Sequence, residues 1–169
     1  MMIIAQLESV FRALNRSQVR YILVGGLAVI AHGYMRTTSD IDLVISLHPD
    51  NLRKALAALQ EIGYFPKQTV KIEEFADPMI RERWIKEKNM LVFQLTTGRP
   101  RELPIDIFVR EPFDFDKELG RARHFEMAPD VIVPVASIKA LTQLKTAAGR
   151  PNDLDDLRRL KMLFPDEFV

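Results

Sequence analysis

The sequence predicts a mixed α/β fold of the α+β kind, a mixed β-sheet with helices packed on it. Short β-prone runs are flanked by amphipathic segments at helical spacing, strands and helices alternate singly and in pairs, and no repeat or low-complexity tract interrupts them. The predicted order is α-β-α-β-α-α-β-β-(β)-α-α. At 169 residues, 47% hydrophobic and 28% charged, the chain is sized for one domain over 1–169 with a sizeable core. A catalytic core is expected over about 1–110 and a helical portion over about 135–169.

Ile3, Ile4, Leu7, Val10, Phe11 and Leu14 form the apolar stripe of a first helix. Tyr21-Ile22-Leu23-Val24 is a strand that stops at Gly25-Gly26, and LAVIAHGY then reads as a short helix. Ile41, Leu43 and Ile45 alternate with Asp40, Asp42, Val44 and Ser46 at the strand period, so the two carboxylates share a face. Asp50 is the expected N-cap of the helix NLRKALAALQEI, closed by Gly63. Residues 73–88 read as a charged helix and Asn89–Thr96 as a strand. After a turn-rich connector to Pro104, Ile105–Val109 is a third clear strand, interrupted by Asp106. A Pro- and Asp-containing loop follows, with a last short strand expected over Asp130–Val133. Ser137 should cap the helix IKALTQLKTAA, Gly149 should end it, and DLDDLRRLKML forms the final helix.

Charge and composition exclude several classes. The formal net charge is +1, from 24 basic and 23 acidic residues, so no global field advertises nucleic acid or membrane. The absence of cysteine removes disulfides, thiolate nucleophiles and Cys-based zinc sites. Glu8 and Arg12 break the N-terminal apolar stretch a signal peptide needs, and no run approaches the ~18 apolar residues of a membrane span. The expected location is the cytoplasm.

The chemistry sits on acids. Asp40 and Asp42 project to one side about 7 Å apart along the chain by strand rise. Such carboxylates repel and raise one another's pKa unless a divalent cation neutralises them, and Mg²⁺ suits oxygen ligands. Asp106 stands in the same setting, Ile-Asp-Ile, and a third converging carboxylate completes the ligand set for two-metal phosphoryl or nucleotidyl transfer. The Gly25-Gly26 turn leads a strand into a helix N-terminus, where exposed N–H groups favour phosphate.

Val24-Gly25-Gly26 followed by Asp40-Ile41-Asp42-Leu43 resembles the DNA polymerase β-like nucleotidyltransferase superfamily, which carries Gly-Gly or Gly-Ser, about a dozen residues, then Asp-x-Asp/Glu between hydrophobics. The longer string GGLAVIAHGYMRTTSDIDLVI is similar to the AbiEii-type toxin branch and its small relatives, and the similarity extends to Asp106 and, more weakly, to KTAAGRPNDLDDLRRL. The chain departs from the smallest members of the superfamily, which carry Gly-Ser and then an early arginine, whereas its first arginine after Gly26 is Arg36.

The resemblance implies a nucleotidyltransferase fold and an enzyme. Asp40 and Asp42 would bridge two Mg²⁺ ions (or Mn²⁺), Asp106 would complete the acceptor-side metal, and an acceptor hydroxyl would attack the α-phosphate of an NTP and release pyrophosphate. It places Gly25 and Gly26 along the triphosphate, with hydroxyl contacts from Thr38 or Ser39. Arg36 is a candidate phosphate ligand or a solvated loop arginine. Lys145 lies beside an apolar helix stripe and either snorkels or meets an anion, and the resemblance favours a triphosphate contact. Arg150, Asp153 and Asp156 match the downstream block, but Asn152 or Asp153 is also a good helix N-cap, and none of the three is read as catalytic.

The acceptor suggested by the resemblance is RNA, such as a tRNA end, or a protein hydroxyl in a toxin–antitoxin setting with an antitoxin partner. The runner-up is a small molecule, in the manner of aminoglycoside and lincosamide nucleotidyltransferases, although the residues after 110 read as core and leave little to build such a pocket. The contrasting class is a non-catalytic nucleotide-binding toxin–antitoxin component. His32, His48 and His124 make no zinc motif. Arg81, Arg83, Lys86 and Lys88 around Trp84 read as a salt-linked helix face in preference to a polynucleotide platform, because Glu82 and Glu87 alternate with them.

Overall fold

The computed structural model describes residues 2–168. In chain order the elements are α1 (Met2–Arg16), β1 (Tyr21–Val24), α2 (Gly25–Ala31), β2 (Ile41–Ile45), α3 (Pro49–Glu61), β3 (Phe65–Pro66), a 3₁₀ turn (Ile72–Ala76), α4 (Pro78–Lys88), β4 (Val92–Thr96), β5 (Ile105–Phe108), α5 (Phe115–Arg121), β6 (Arg123–Ala128), β7 (Val131–Val135), α6 (Ile138–Ala148), α7 (Pro151–Leu163) and a closing 3₁₀ turn (Pro165–Phe168). The strands form one mixed sheet in the order β3-β4-β5-β2-β1-β7-β6. Parallel pairs β2–β5 and β1–β7 are set among antiparallel neighbours.

Strand alternation divides the sheet into two unlike faces. Tyr21 and Leu23 stand opposite Ile45 and Leu43, and Leu43 continues through Ile107 to Phe93, all buried. This face receives α1, whose Phe11 ring stacks on Tyr21 at 5.9 Å between centroids, and farther along Phe93 stacks on Phe75 at 4.6 Å and Trp84 at 5.6 Å. The other face carries Asp42, Asp106 and Gln94. Beneath β1 and β2 it is closed by α2, while along β4 and β5 its residues Val92, Gln94, Thr96, Asp106 and Phe108 are all half-buried.

Several elements differ from expectation. The helix expected over 73–88 is broken at Asp77, since Pro78 forces the preceding residue out of helical conformation; Asp77 lies at φ −82°, ψ 115° and accepts from the Met79 amide at 2.8 Å. The strand expected from Asn89 starts at Val92, because Asn89 takes a left-handed φ of 48° that closes α4. Pro49 at the first helical position moves the α3 cap to His48, so Asp50 lies in the first turn and pairs with Arg53. The helix predicted after the glycines includes them: α2 begins at Gly25. The assumed loop after Val109 contains α5, capped by Asp114, and the expected last strand is the second arm of a β6–β7 hairpin turned at Asp130, φ 62°. The α6 cap by Ser137 and its end at Gly149, φ 61°, agree with expectation.

Candidate active site

Gly25 makes the turn from β1 straight into α2 possible. Its φ is +69°, and a Cβ built there would lie 1.9 Å from Asp42 Oδ2, so backbone conformation and space both demand glycine. A Cβ on Gly26 would meet Thr38 Oγ1 at 2.8 Å and Arg36 Cζ at 3.4 Å. The glycine pair is thus packed between the Asp42 carboxylate and the Arg36–Thr38 loop. Val24 offers no side-chain cap, leaving the first α2 amides without a side-chain partner.

Register brings the acids together. The parallel β2–β5 pairing sets Asp42 directly beside Asp106, and Asp40 enters from the residue before β2. One carboxylate oxygen from each of the three lies within 4.8 Å of the others. Among the described residues no other group of three or more His, Cys, Asp or Glu side chains is so arranged. Thr38 Oγ1 donates to the Asp40 carbonyl at 3.2 Å, and Ser39 Oγ donates to Asp40 Oδ2 at 3.3 Å. Both hydroxyls therefore shape the Asp40 loop.

Burial, and then the charges of Asp40 and Asp106, push the Asp42 carboxyl up to about 7, against the opposing pull of Lys145. Asp106 is also raised, by burial and the Asp40 charge, while a 2.6 Å hydrogen bond from Gln94 Nε2 to its Oδ1 and the charge of Lys67 act the other way. A compact, all-oxygen set whose members disfavour one another's ionisation is the electrostatic description of a hard divalent-cation site. The residues present fit such an ion.

On the glycine side lies a chain of ion pairs joining the Arg36 loop to α6 and α7. Arg36 pairs with Asp156; Lys145 Nζ donates to Asp156 at 2.6 Å and to Asp153 at 3.4 Å; and Arg150 Nε donates to Asp153 at 2.7 Å. Lys145, Asp153 and Asp156 are at most 5% exposed. Burial works against the charge on Asp153, but the Arg150 hydrogen bond and the charges of Lys145 and Arg150 hold its carboxyl below the usual range. Three cations against two carboxylates leave one net positive charge beside the acidic cluster.

The structure therefore assembles every predicted residue into one region, with a change of emphasis at Lys145. It neither snorkels nor stands free: it is the buried centre of a brace between α6 and α7. Asp153 serves this brace and also accepts from the Arg150 amide at 3.2 Å at the start of α7. Sequence reasoning missed Gln94 and Lys67. The signal for Gln94 was present, since VFQLT places one polar residue between apolar neighbours, but its partner Asp106 is known only from the β4–β5 register. His32 is buried, with Nε2 2.8 Å from the Ala136 carbonyl and its ring edge-on to Phe125 and Phe164. Trp84 is core, and Glu82 binds Arg110 at 3.0 Å, as suits an ordinary charged helix face.

Residues 1–89, spanning both glycines and the Asp40–Asp42 pair, match the family described as nucleotidyltransferase of unknown function (DUF6036). The chain belongs to this family. It is thus a member of a nucleotidyltransferase superfamily, and general nucleotidyl transfer is its activity. No curated protein matches. Two solved structures of the antibiotic-resistance factor ANT(2'')-Ia share the fold. The solution structure is 15% identical, with a TM-score of 0.58 over 94% of this chain and 82% of that one. The crystal structure with adenylyl-2''-tobramycin is 14% identical, with a TM-score of 0.58 over 97% and 95%. The fold of this nucleotidyltransferase is a mixed α/β sheet of that kind. No helix among the described residues is long and apolar enough to cross a membrane.

Proposed function

We propose that the chain transfers a nucleoside monophosphate from an NTP to an acceptor hydroxyl, with Asp40, Asp42 and Asp106 as metal ligands. The observation that carries this reading is the convergence of three carboxylates beside Gly25, where a side chain would occupy the place of Asp42 Oδ2. Mg²⁺, as two ions, or Mn²⁺ is the proposed cofactor; when bound it neutralises the carboxylates and draws charge from the phosphoryl oxygens. The chain's own groups do the rest. Gly25 and Gly26 admit phosphate close to the backbone at the start of α2. Arg36, with Thr38 and Ser39, borders that approach, and the Lys145 brace supplies positive potential from below.

Gln94 holds one oxygen of Asp106 and so fixes the orientation of this carboxylate beside the acceptor hydroxyl, whose proton leaves to solvent. The hydroxyl oxygen bonds to the α-phosphorus, the bond to the bridging oxygen breaks, and pyrophosphate carries away the electron pair. The proposed acceptor is RNA, such as a tRNA end, or a protein hydroxyl. The toxin-branch resemblance supports an antitoxin partner and a cytoplasmic setting as parts of the same reading. A small-molecule acceptor is the second reading, favoured by the likeness to a fold that serves an antibiotic-resistance factor.

The test is incubation with each α-labelled NTP, Mg²⁺ or Mn²⁺, total RNA and protein, and an aminoglycoside, with the Asp40→Ala/Asp42→Ala double variant alongside. Labelled RNA or protein that disappears in the variant supports the reading. Absence of NTP consumption, or labelling that survives the double substitution, refutes it. Labelled aminoglycoside with RNA untouched selects the second reading.

A further inference from the structure

Asp42 and Asp106 belong to a row that crosses the sheet. Val24 pairs with Asp42, Asp42 with Asp106, and Asp106 with Gln94, while the Lys67 amide donates to the Gln94 carbonyl at 2.9 Å and carries the row to its open end. Paired residues present their side chains on the same face. Two residues earlier, Phe65 pairs with Thr96 and so shares that face; its side chain is 49% exposed, and a Cβ on Gly98 would meet its ring at 3.3 Å. The opposite face of β4 and β5 is buried, with Phe93 stacked on Phe75 and Trp84, so these strands present their half-buried face as the one open side.

The brace of Arg36, Lys145 and Arg150 lies on the glycine side of the carboxylates, toward α6 and α7, and Lys67 lies on the other. The charge of Lys67 is felt at Asp106. We propose that the open face of β3–β4–β5 is the acceptor platform, with the Phe65 ring stacking a base and Lys67 binding a phosphate of a single-stranded polynucleotide whose terminal hydroxyl reaches Asp106. An exposed aromatic ring next to a cation is the pairing that single-stranded nucleic acid uses, bases on π-faces and backbone on positive charge. The inference rests on the nucleotidyl-transfer reading and specifies its acceptor side.

Both residues are exposed, so Phe65→Ala and Lys67→Glu should leave folding intact, which a thermal melt checks directly. Binding of a short fluorescent single-stranded RNA with a free 3′-hydroxyl is followed by anisotropy, and transfer of α-labelled NMP is measured separately. Each variant should weaken RNA binding about tenfold. Lys67→Glu should also flatten the salt dependence of binding. In transfer, the acceptor KM should rise with the NTP KM unchanged. RNA binding unaltered in both variants overturns the platform even if wild-type transfer is robust. Tobramycin bound in place of RNA, and bound more tightly by Lys67→Glu, also overturns it. Loss of RNA binding in the variants while the wild type consumes no NTP would support the platform and refute the transfer reading instead, so the two failures are separable.

Discussion

Replacing Asp42 by asparagine should stabilise the metal-free protein while destroying its site. Asp42 is half-buried beside Asp40 and Asp106, and its carboxyl is raised from 3.8 to about 7. The folded state therefore holds a proton that the unfolded chain has lost between those values, so stability contributed by this group is present below pH 4 and is lost as pH rises to 7. At about 1.4 kcal/mol per pH unit the full penalty at pH 8 is about 4 kcal/mol. Asparagine keeps the shape without the charge, yet its amide must find partners among carboxylates, so about half, roughly 2 kcal/mol, should be recovered. For a chain of this length that raises Tm by about 4–8 °C. The assay is a thermal melt of both proteins in EDTA at pH 5 and pH 8, repeated with saturating Mg²⁺. The Asp42→Asn variant should melt higher at pH 8, show little advantage at pH 5, and gain nothing from Mg²⁺, whereas the wild type gains markedly. An equal melting temperature at pH 8, or an advantage of the same size at both pH values, would refute the electrostatic account of the cluster.

Gly25→Ala introduces a methyl group 1.9 Å from Asp42 Oδ2 at a φ of +69°. It should cost about 1–2 kcal/mol from backbone strain and at least about tenfold in Mg²⁺ affinity through displacement of a ligand. Titration calorimetry with Mg²⁺ checks this, and wild-type affinity would show that the carboxylate has another position to occupy. Lys145→Met removes the cation between buried Asp153 and Asp156 and should cost about 3 kcal/mol in urea unfolding, because two carboxylates lose their shared partner. A loss under about 1 kcal/mol would mean that Arg36 and Arg150 suffice. Gln94→Ala releases the Asp106 oxygen that Gln94 holds and should lower kcat about tenfold with the NTP KM unchanged; a selective rise in NTP KM would place Gln94 on the nucleotide side instead.

The legible part of the site was the part written locally. Gly25-Gly26 and Asp40-Ile41-Asp42 lie in short segments whose period of two and turn chemistry announce their geometry, and the family match covers the same stretch. Asp106 was legible as a charged residue in an apolar strand. Gln94 was not, since nothing in VFQLT says which strand it will face. The role of Lys145 was half legible: its place beside the apolar stripe left snorkelling or an anion open and the resemblance favoured a triphosphate, whereas the anions paired with it are Asp153 and Asp156 of the next helix. The break at Asp77 and the start of β4 at Val92 were misplaced because a proline and a left-handed asparagine override smooth periodicity. The β6 strand was missed for a related reason: at the sheet edge it keeps no buried face, and its alternation is correspondingly weak.

What the sequence determined by itself is the chemistry available: no thiols, no zinc motif, three carboxylates in or next to β-prone runs and a glycine pair beside them. Backbone sterics and strand periodicity act over a few residues, so a single chain segment carries them whole. What only the tertiary structure decided is adjacency across segments. The β2–β5 register sets Asp42 beside Asp106, β4 and the chain after Phe65 extend that row to Gln94 and Lys67, and the packing of α6 on α7 turns Lys145 inward. These are pairings between residues far apart in the chain, chosen by burial of the opposite face of the sheet. Local pattern carries no record of that choice.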